Sequence, residues 1–434
     1  MREAVLFEQG WSREPYWWQE VPREEERDIR LSGRADVAII GAGFTGLSAA
    51  DELARAGRSV LVLDARAPGE GASSRNGGMV GSGHRLPYDE LVRLHGEAGA
   101  IAILREGLSA FAFTTGLIER EGMDCRFQRT GRFRAAWRAT DYDRIARELE
   151  AQKRVLGLEA DLVTRAEQDR EVATERYHGG CVYHAHGGLH PALFHRALLN
   201  RARAAGAAVH GHTNVRAIER DAKGFRLRTG RSDVRAKDVI LATNGYSDRA
   251  AASLRSRLAP IPSFIIATER LGANRVRSLI PSGRMIVESR SAHCYYRPLP
   301  DGERILFGAR AALHPVPPER AARRLHAYLL DLFPSLEGVR LSHSWSGYVA
   351  FTRQWLPSLG VQDGIHYAAG YCGSGVAMAP YLGYRIAHRL LGTAEGRTAL
   401  DDLPFRPWPF ASAIPLAMPV ATLWHRLNDW RERA

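Results

Sequence analysis

Lysine is nearly missing from this chain: Lys153, Lys223 and Lys237 are the only three, although Lys and Arg together number 60. The positive charge therefore rests on arginine, which stays protonated and forks onto carboxylates and phosphates. Cysteine is as sparse. Cys125, Cys181, Cys294 and Cys372 lie far apart with no C-x-x-C pair, which gives neither a disulfide framework nor a zinc site and suits a reducing compartment. No run reaches the roughly 18 uninterrupted apolar residues of a membrane span, and the most apolar tail, 411–424, is broken by Pro415 and Pro419. The first residues carry charge where a secretory signal needs an apolar centre. The expectation is a cytoplasmic protein with no transmembrane segment, peripheral contact of the tail with a membrane being left open.

A net charge of +12 invites a nucleic-acid reading, but the basic residues alternate with acids and form no uninterrupted basic run, so nucleic acid is not an expected partner. With 434 residues, 45% hydrophobic and 25% charged, the chain is an ordinary globular protein of two or three domains without a repeat or low-complexity linker. Residues 1–34 show neither helical nor alternating period and read as an irregular surface arm.

Glycine is plentiful, at 42 residues, and its placement is informative. Ala35 to Ile40 is a short continuous apolar run, the pattern of a strand buried on both faces. Gly41-Ala42-Gly43-Phe44-Thr45-Gly46 follows, then a helical pattern from Leu47 to Ala56, then a second buried strand at Ser59 to Leu63. This is the dinucleotide fingerprint in its required strand–turn–helix context. Gly41 permits the tight turn, Gly43 lets backbone approach a pyrophosphate, and Gly46 allows helix and strand to pack closely. Asp64 stands where an acid meets ribose hydroxyls, with Ala65 and Arg66 beside it. Downstream, 88–156 reads mostly helical around a strand at 132–137. His190 caps a helix opened by Pro191, and 259–308 reads as a run of short strands between glycine and proline turns. The histidines at 178, 184, 186, 190 and 195 have loose spacing and no carboxylate with them, so no metal site is expected.

The fingerprint alone does not separate NAD from FAD. The next segment, GEGASSRNGGM over 69–79, is a polar glycine-rich loop directly after the ribose acid. Together with FTGLSAADELARAG, GLHPALFHRALLNRARAAGA, ILATNGYSD and IHYAAGYCGSGVAMAPYLGYRIA, it resembles the glycine oxidase, sarcosine oxidase and D-amino-acid oxidase family of flavoproteins. The likeness runs from about 35 to 392 and is strongest to the branch like γ-glutamylputrescine oxidase. It implies an α/β protein of the two-domain α+β kind: a discontinuous Rossmann-like FAD domain of glutathione-reductase type over 35–87, 159–246 and 340–395, and a substrate domain of mixed sheet plus helices over 88–158 and 247–339, with 396–434 as tail. By the same likeness Ser73, Ser74, Arg75, Asn76, Gly77, Gly78 and Met79 line flavin or pyrophosphate, Val215 the adenine, and Thr243, Asn244 and Gly245 the crossover. Gly370, Gly373, Ser374, Gly375 and Val376 lie at the ring. A flavin wants a helix N-terminus near its electron-rich end and glycine where backbone touches the ring, which this last loop supplies.

The resemblance also points to two substrate-facing stretches, 294–298 and 345–352. Relatives that oxidise amino acids offer an arginine for the substrate carboxylate at a place held here by Val349, so an amine, a polyamine derivative or N-alkyl amine, is expected rather than a free amino acid. Arg297, Tyr296, Tyr348 and His84 are the candidate catalytic residues. Tyr295, Tyr296, Tyr348 and Trp345 could box an amine. Sarcosine oxidase-like relatives use a lysine to activate oxygen, and this chain has none after Lys237, leaving His84, Arg85 and Arg297 as candidates and a dehydrogenase as the alternative to an oxidase. The cysteine that carries covalent flavin in sarcosine oxidases has no counterpart in FTRQWLPSLG, so noncovalent FAD and molecular oxygen are the expected cofactor and acceptor. A non-catalytic flavin-binding regulator and an NAD(P)-linked dehydrogenase are the competing classes, the latter leaving the loops at 69–79 and 370–376 without a purpose.

Overall fold

The computed structural model describes residues 6–23, 25, 31–401, 403–409, 418–419 and 421–422. The most apolar part of the tail thus lies largely outside the described residues. Two sheets organise the rest. The first is nucleated by the buried strand Arg34–Ile40, which pairs in parallel with Val60–Leu63 on one side and Val234–Leu241 on the other. Ala208–His210 extends it beyond Val60–Leu63, while the antiparallel strands Gly224–Thr229 and Val215–Asp221 extend the other edge. Ile365–Ala369 runs parallel to the end of Val234–Leu241 and returns the chain to this sheet late in the sequence.

The second sheet has nine strands in the order Phe7–Ser12, Leu341–Phe351, Ala259–Thr268, Ile305–Ala309, Tyr295–Pro298, Met285–Glu288, Arg132–Ala135, Gly180–Tyr183 and Ala160–Val163. Three departures from the expected division follow. Strands Ala160–Val163, Gly180–Tyr183 and Leu341–Phe351 belong to this sheet although their ranges were expected with the nucleotide sheet. Helix Tyr88–Arg120, expected with the substrate domain, packs against helix Gly375–Leu391 in the nucleotide core. It is apolar and long enough to cross a membrane by length and composition, yet it kinks at Gly96 and more than half of its most apolar stretch is covered by protein. Strand partners of this kind are chosen by tertiary packing, and local periodicity does not encode them.

The N-terminal arm is the third departure. Phe7–Ser12 is an edge strand parallel to Leu341–Phe351, and Tyr16, Trp17 and Trp18 are buried rather than laid over the surface. Its sequence has no period because Tyr16, Trp17 and Trp18 form a single short turn in one buried cluster and bond separately to Asp301, the Asn76 carbonyl oxygen and the Ser74 hydroxyl.

Candidate active site

One cavity of about 860 Å3 runs between the two sheets. At one end stands the fingerprint. The helix begins at Phe44, three residues earlier than its apolar pattern suggests, so its first turn opens on the cavity end, where Phe44 and Thr45 line the wall and the Phe44 N–H donates to the Ser73 hydroxyl at 2.9 Å. A Cβ on Gly41 would meet the Ala242 carbonyl oxygen at 2.8 Å, and one on Gly46 would overlap the Gly41 carbonyl, so both glycines act as expected in the turn and the packing. Asp64 accepts from the Ala42 N–H at 2.8 Å and the Arg66 N–H at 3.0 Å, fixing the turn while keeping a position on the cavity wall. His195 braces the same turn through the Ala42 carbonyl oxygen, 2.8 Å from its Nε2.

At the ring end, the loop before helix Gly375–Leu391 takes left-handed backbone at Gly370, Cys372 and Gly373. Nothing lies within 4 Å of a Cβ built on Gly373, so its backbone faces open cavity. Asn244, itself at φ 45°, accepts from the Gly370 N–H at 2.8 Å and joins the crossover to this loop. Thr45 and Tyr371 share a buried hydroxyl–hydroxyl bond that ties the two helix entrances together. A long cofactor with a diphosphate at one helix start and a ring at the other fits this cradle.

Of the expected cofactor residues, Gly41, Gly43, Phe44, Thr45, Asp64, Ala65, Arg66, Ser73, Arg75, Asn76, Gly77, Met79, Val215, Thr243, Asn244, Gly373, Ser374, Gly375 and Val376 line the cavity. Gly46, Ser74, Gly78, Gly245 and Gly370 do not. Ser74 instead donates to the Gly69 carbonyl oxygen at 2.7 Å and accepts from the Trp18 indole N–H at 2.8 Å. Gly78, at φ 67°, lies against the Leu189 carbonyl and the Arg297 guanidinium with no room for a side chain. Trp17 donates to the Asn76 carbonyl oxygen at 2.9 Å, and Trp345 to that of Arg75 at 2.8 Å. Indoles from outside the loop thus hold 74–76 from behind. Two of them come from the arm, which sequence reasoning left without a role.

The catalytic candidates divide. Tyr348 and His84 line the cavity. Tyr296 and Arg297, contrary to expectation, do not. Tyr296 is wholly buried between Phe307 and Phe333, with its hydroxyl 3.0 Å from that of Tyr177. Arg297 is buried behind the flavin loop, donating to the Leu189 carbonyl oxygen at 2.6 Å and lying over the Trp17 ring. Strand alternation is the reason for Tyr296, since Tyr295 takes the cavity face and Tyr296 the core; Arg297 shares the face of Tyr295 but is drawn off the cavity by the Leu189 carbonyl and the backbone of Gly78 and Gly188. The aromatic box is likewise incomplete, since Trp345 is buried and only Tyr295 and Tyr348 reach the cavity. Tyr246, which no sequence motif singles out, joins Tyr348 edge to face and accepts its backbone N–H at 3.2 Å.

Burial sets the electrostatics. The Tyr295 hydroxyl, 3.1 Å from the Ser263 hydroxyl, is pushed up to about 12 and stays protonated. His84 is enclosed, with Nε2 2.8 Å from the Ile103 carbonyl oxygen, and desolvation pulls it down to about 4, leaving it neutral near pH 7. The clustered histidines disperse. His190 caps helix Pro191–Ala204 by accepting the Leu193 N–H, as expected, while His184 meets Asp161 and His186 meets Ser82.

The chain belongs to the family of FAD dependent oxidoreductases whose model matches residues 36–389, and FAD is its cofactor. It is 33% identical over 409 residues to gamma-glutamylputrescine oxidoreductase of Escherichia coli (strain K12), covering 92% of this chain and 93% of that one. It is 30% identical over 420 residues to a probable oxidoreductase OrdL of Rhizobium meliloti (strain 1021), covering 95% and 97%. Among solved structures, glycine oxidase from Geobacillus kaustophilus superposes with a TM-score of 0.71 at 24% identity, over 87% of this chain and 99% of that one.

Proposed function

We propose that this enzyme oxidises the CH–NH bond of an amine, a polyamine derivative or N-alkyl amine rather than a free α-amino acid, to an imine that water hydrolyses. Molecular oxygen takes up the two electrons and two protons as hydrogen peroxide. The observation that carries the reading is the wall beside the ring loop, where Val349 stands opposite Ile261 across paired strands and both line the cavity. That pair itself offers an α-carboxylate no hydrogen bond or charge, and a desolvated carboxylate without either costs several kcal/mol.

Bound noncovalently, FAD supplies a hydride acceptor. The residues of the chain position and shelter. Tyr295 and Tyr348 confine the amine, and the protonated Tyr295 hydroxyl can either donate to or accept from its nitrogen. Neutral His84 adds no positive charge that would repel a protonated amine. No strong base is required of the protein. Of the three oxygen-facing candidates, Arg297 lies outside the cavity and His84 is neutral, which leaves Arg85 as the cation beside the ring loop. Anaerobic mixing with amines, N-methyl amines and amino acids tests the proposal. Bleaching of the flavin by amines supports it, whereas bleaching by free amino acids alone refutes it. Admitting air then reads the acceptor: rapid return of colour marks an oxidase, and persistence of the bleached state marks a dehydrogenase.

A further inference from the structure

Beyond the ring loop the cavity continues into a chamber walled by the nine-stranded sheet, and its charge is one-sided. Arg132 and Arg134 project from the same face of strand Arg132–Ala135, while Phe133 and Ala135 fill the core behind. Arg310 follows strand Ile305–Ala309, and Arg85 comes from the loop after the flavin segment. His293 sits among them, with Arg85 Nη1 3.4 Å from its Nδ1; burial first, and then the four guanidiniums, hold it well below its ordinary value.

Two cations at the chamber's edge are already paired: Arg134 with Glu148 at 2.7 Å and Arg144 with Asp141 at 3.1 Å. Arg290, deeper in the wall, is held by Glu288 at 2.6 Å. Among the described residues, Arg85, Arg132 and Arg310 have no carboxylate within ion-pair distance, and Arg132 Nε has no hydrogen-bond partner. Desolvation draws Arg132 to about 10 and Arg310 to about 9, the latter pushed further by Arg85, so both still carry charge near neutrality, and desolvation shifts Arg85 downward as well. Uncompensated guanidinium charge in a partly desolvated wall is costly, and a fold that sets half-buried Arg132 and Arg310 beside the more exposed Arg85 around one void leaves the compensation to a ligand. The diphosphate of FAD does not supply it, because the fingerprint belongs to the other sheet. One cation would offset charge on the ring; three exceed that need.

We infer that Arg85, Arg132 and Arg310 form an anion-binding compartment of the active site, and that the amine oxidised here carries carboxylate groups remote from the reacting carbon. This rests on the amine-oxidation reading and narrows it to acidic amines. The apolar Ile261–Val349 wall takes the carbon next to nitrogen, and the chamber takes the carboxylate end.

Binding by the FAD-loaded enzyme, followed by calorimetry without turnover, tests the compartment. Glutarate should bind, neutral glutaramide and n-butylamine should bind far more weakly, and R132M and R310M should each weaken glutarate by about 30-fold or more with flavin content unchanged. R310K should recover part of the loss. Equal binding of glutarate and glutaramide by the unaltered enzyme overturns the inference without any variant being needed. Inorganic phosphate binding more tightly than glutarate would also overturn it, in favour of a phosphorylated substrate. A kinetic comparison separates the two readings: anaerobic bleaching by N-carboxyalkyl amines but not by their methyl amides supports both. Equal bleaching by both members of the pair sinks the acidic-amine inference alone, and a flavin that neither member nor any other amine bleaches sinks the amine-oxidation reading.

Discussion

Gly308 shows how much a single hydrogen side chain can hold in place. A Cβ there would overlap the Tyr295 ring, which Gly77 also touches from the flavin side. G308A should therefore move Tyr295 off the cavity wall, lowering the rate of anaerobic flavin reduction by about tenfold or more, because a displacement of ~1 Å in a positioning group can cost about 100-fold. The flavin content should remain that of the parent enzyme. Reduction at the parental rate would show that Tyr295 does not position the substrate. His190 makes a different prediction. Buried beneath Trp17, it is pulled down to about 3 from an ordinary value of 6.5. A histidine that is harder to protonate folded than unfolded contributes stability that is complete above 6.5 and lost progressively as pH falls from there toward its folded value. His84 and His343, each at about 4, add in the same direction. Thermal melting should decline from pH 6.5 downward, and H190N, which retains a capping side chain but no titration, should make the decline shallower. An unchanged slope would assign the acid sensitivity elsewhere.

At the level of elements, the arm and the flavin loop form one unit. W17A removes a fully buried indole and should cost about 3–5 kcal/mol of stability, as large aromatic truncations do. W18F keeps the packing but deprives Ser74 of its donor, a change of about 1 kcal/mol, and should appear mainly as weaker FAD affinity measured by flavin fluorescence on dilution. Tight flavin binding by both variants would mean that the loop holds its shape without the arm. The elements themselves were largely legible: the buried strand at 34–40, the fingerprint, the capped helix at 191 and the short strands between 259 and 309 all follow from period, turn chemistry and capping. The pairing of distant strands was not legible, since Leu341–Phe351 and Gly180–Tyr183 join the substrate-side sheet through partners roughly eighty residues away in one case and about fifty in the other. The cofactor cradle was readable because each glycine there answers a local backbone demand. The choice between Tyr295 and Tyr296 was not, because neighbouring tyrosines on a strand look alike until the sheet assigns its faces. The arginine chamber was hidden for a similar reason: Arg85, Arg132 and Arg310 come from three separate segments.

For the molecule as a whole, the two sheets meet along one cavity whose ends are helix N-termini and whose far wall is cationic. The helix starts at Phe44 and Gly375 are locked together through Thr45 and Tyr371, and helices Phe44–Arg55 and Gly375–Leu391 press so closely that a Cβ on Gly383 would overlap the Thr45 carbonyl. G383V should therefore part the two entrances and abolish flavin retention more severely than it lowers the melting temperature of the flavin-free chain. The central claim is that one noncovalent FAD spans both entrances. Its most direct test is the visible absorption of the purified protein before and after acid precipitation: one flavin per chain, released wholly into the supernatant as FAD, is the predicted result. A chain that stays colourless after reconstitution with FAD, or that keeps its flavin when denatured, would contradict it.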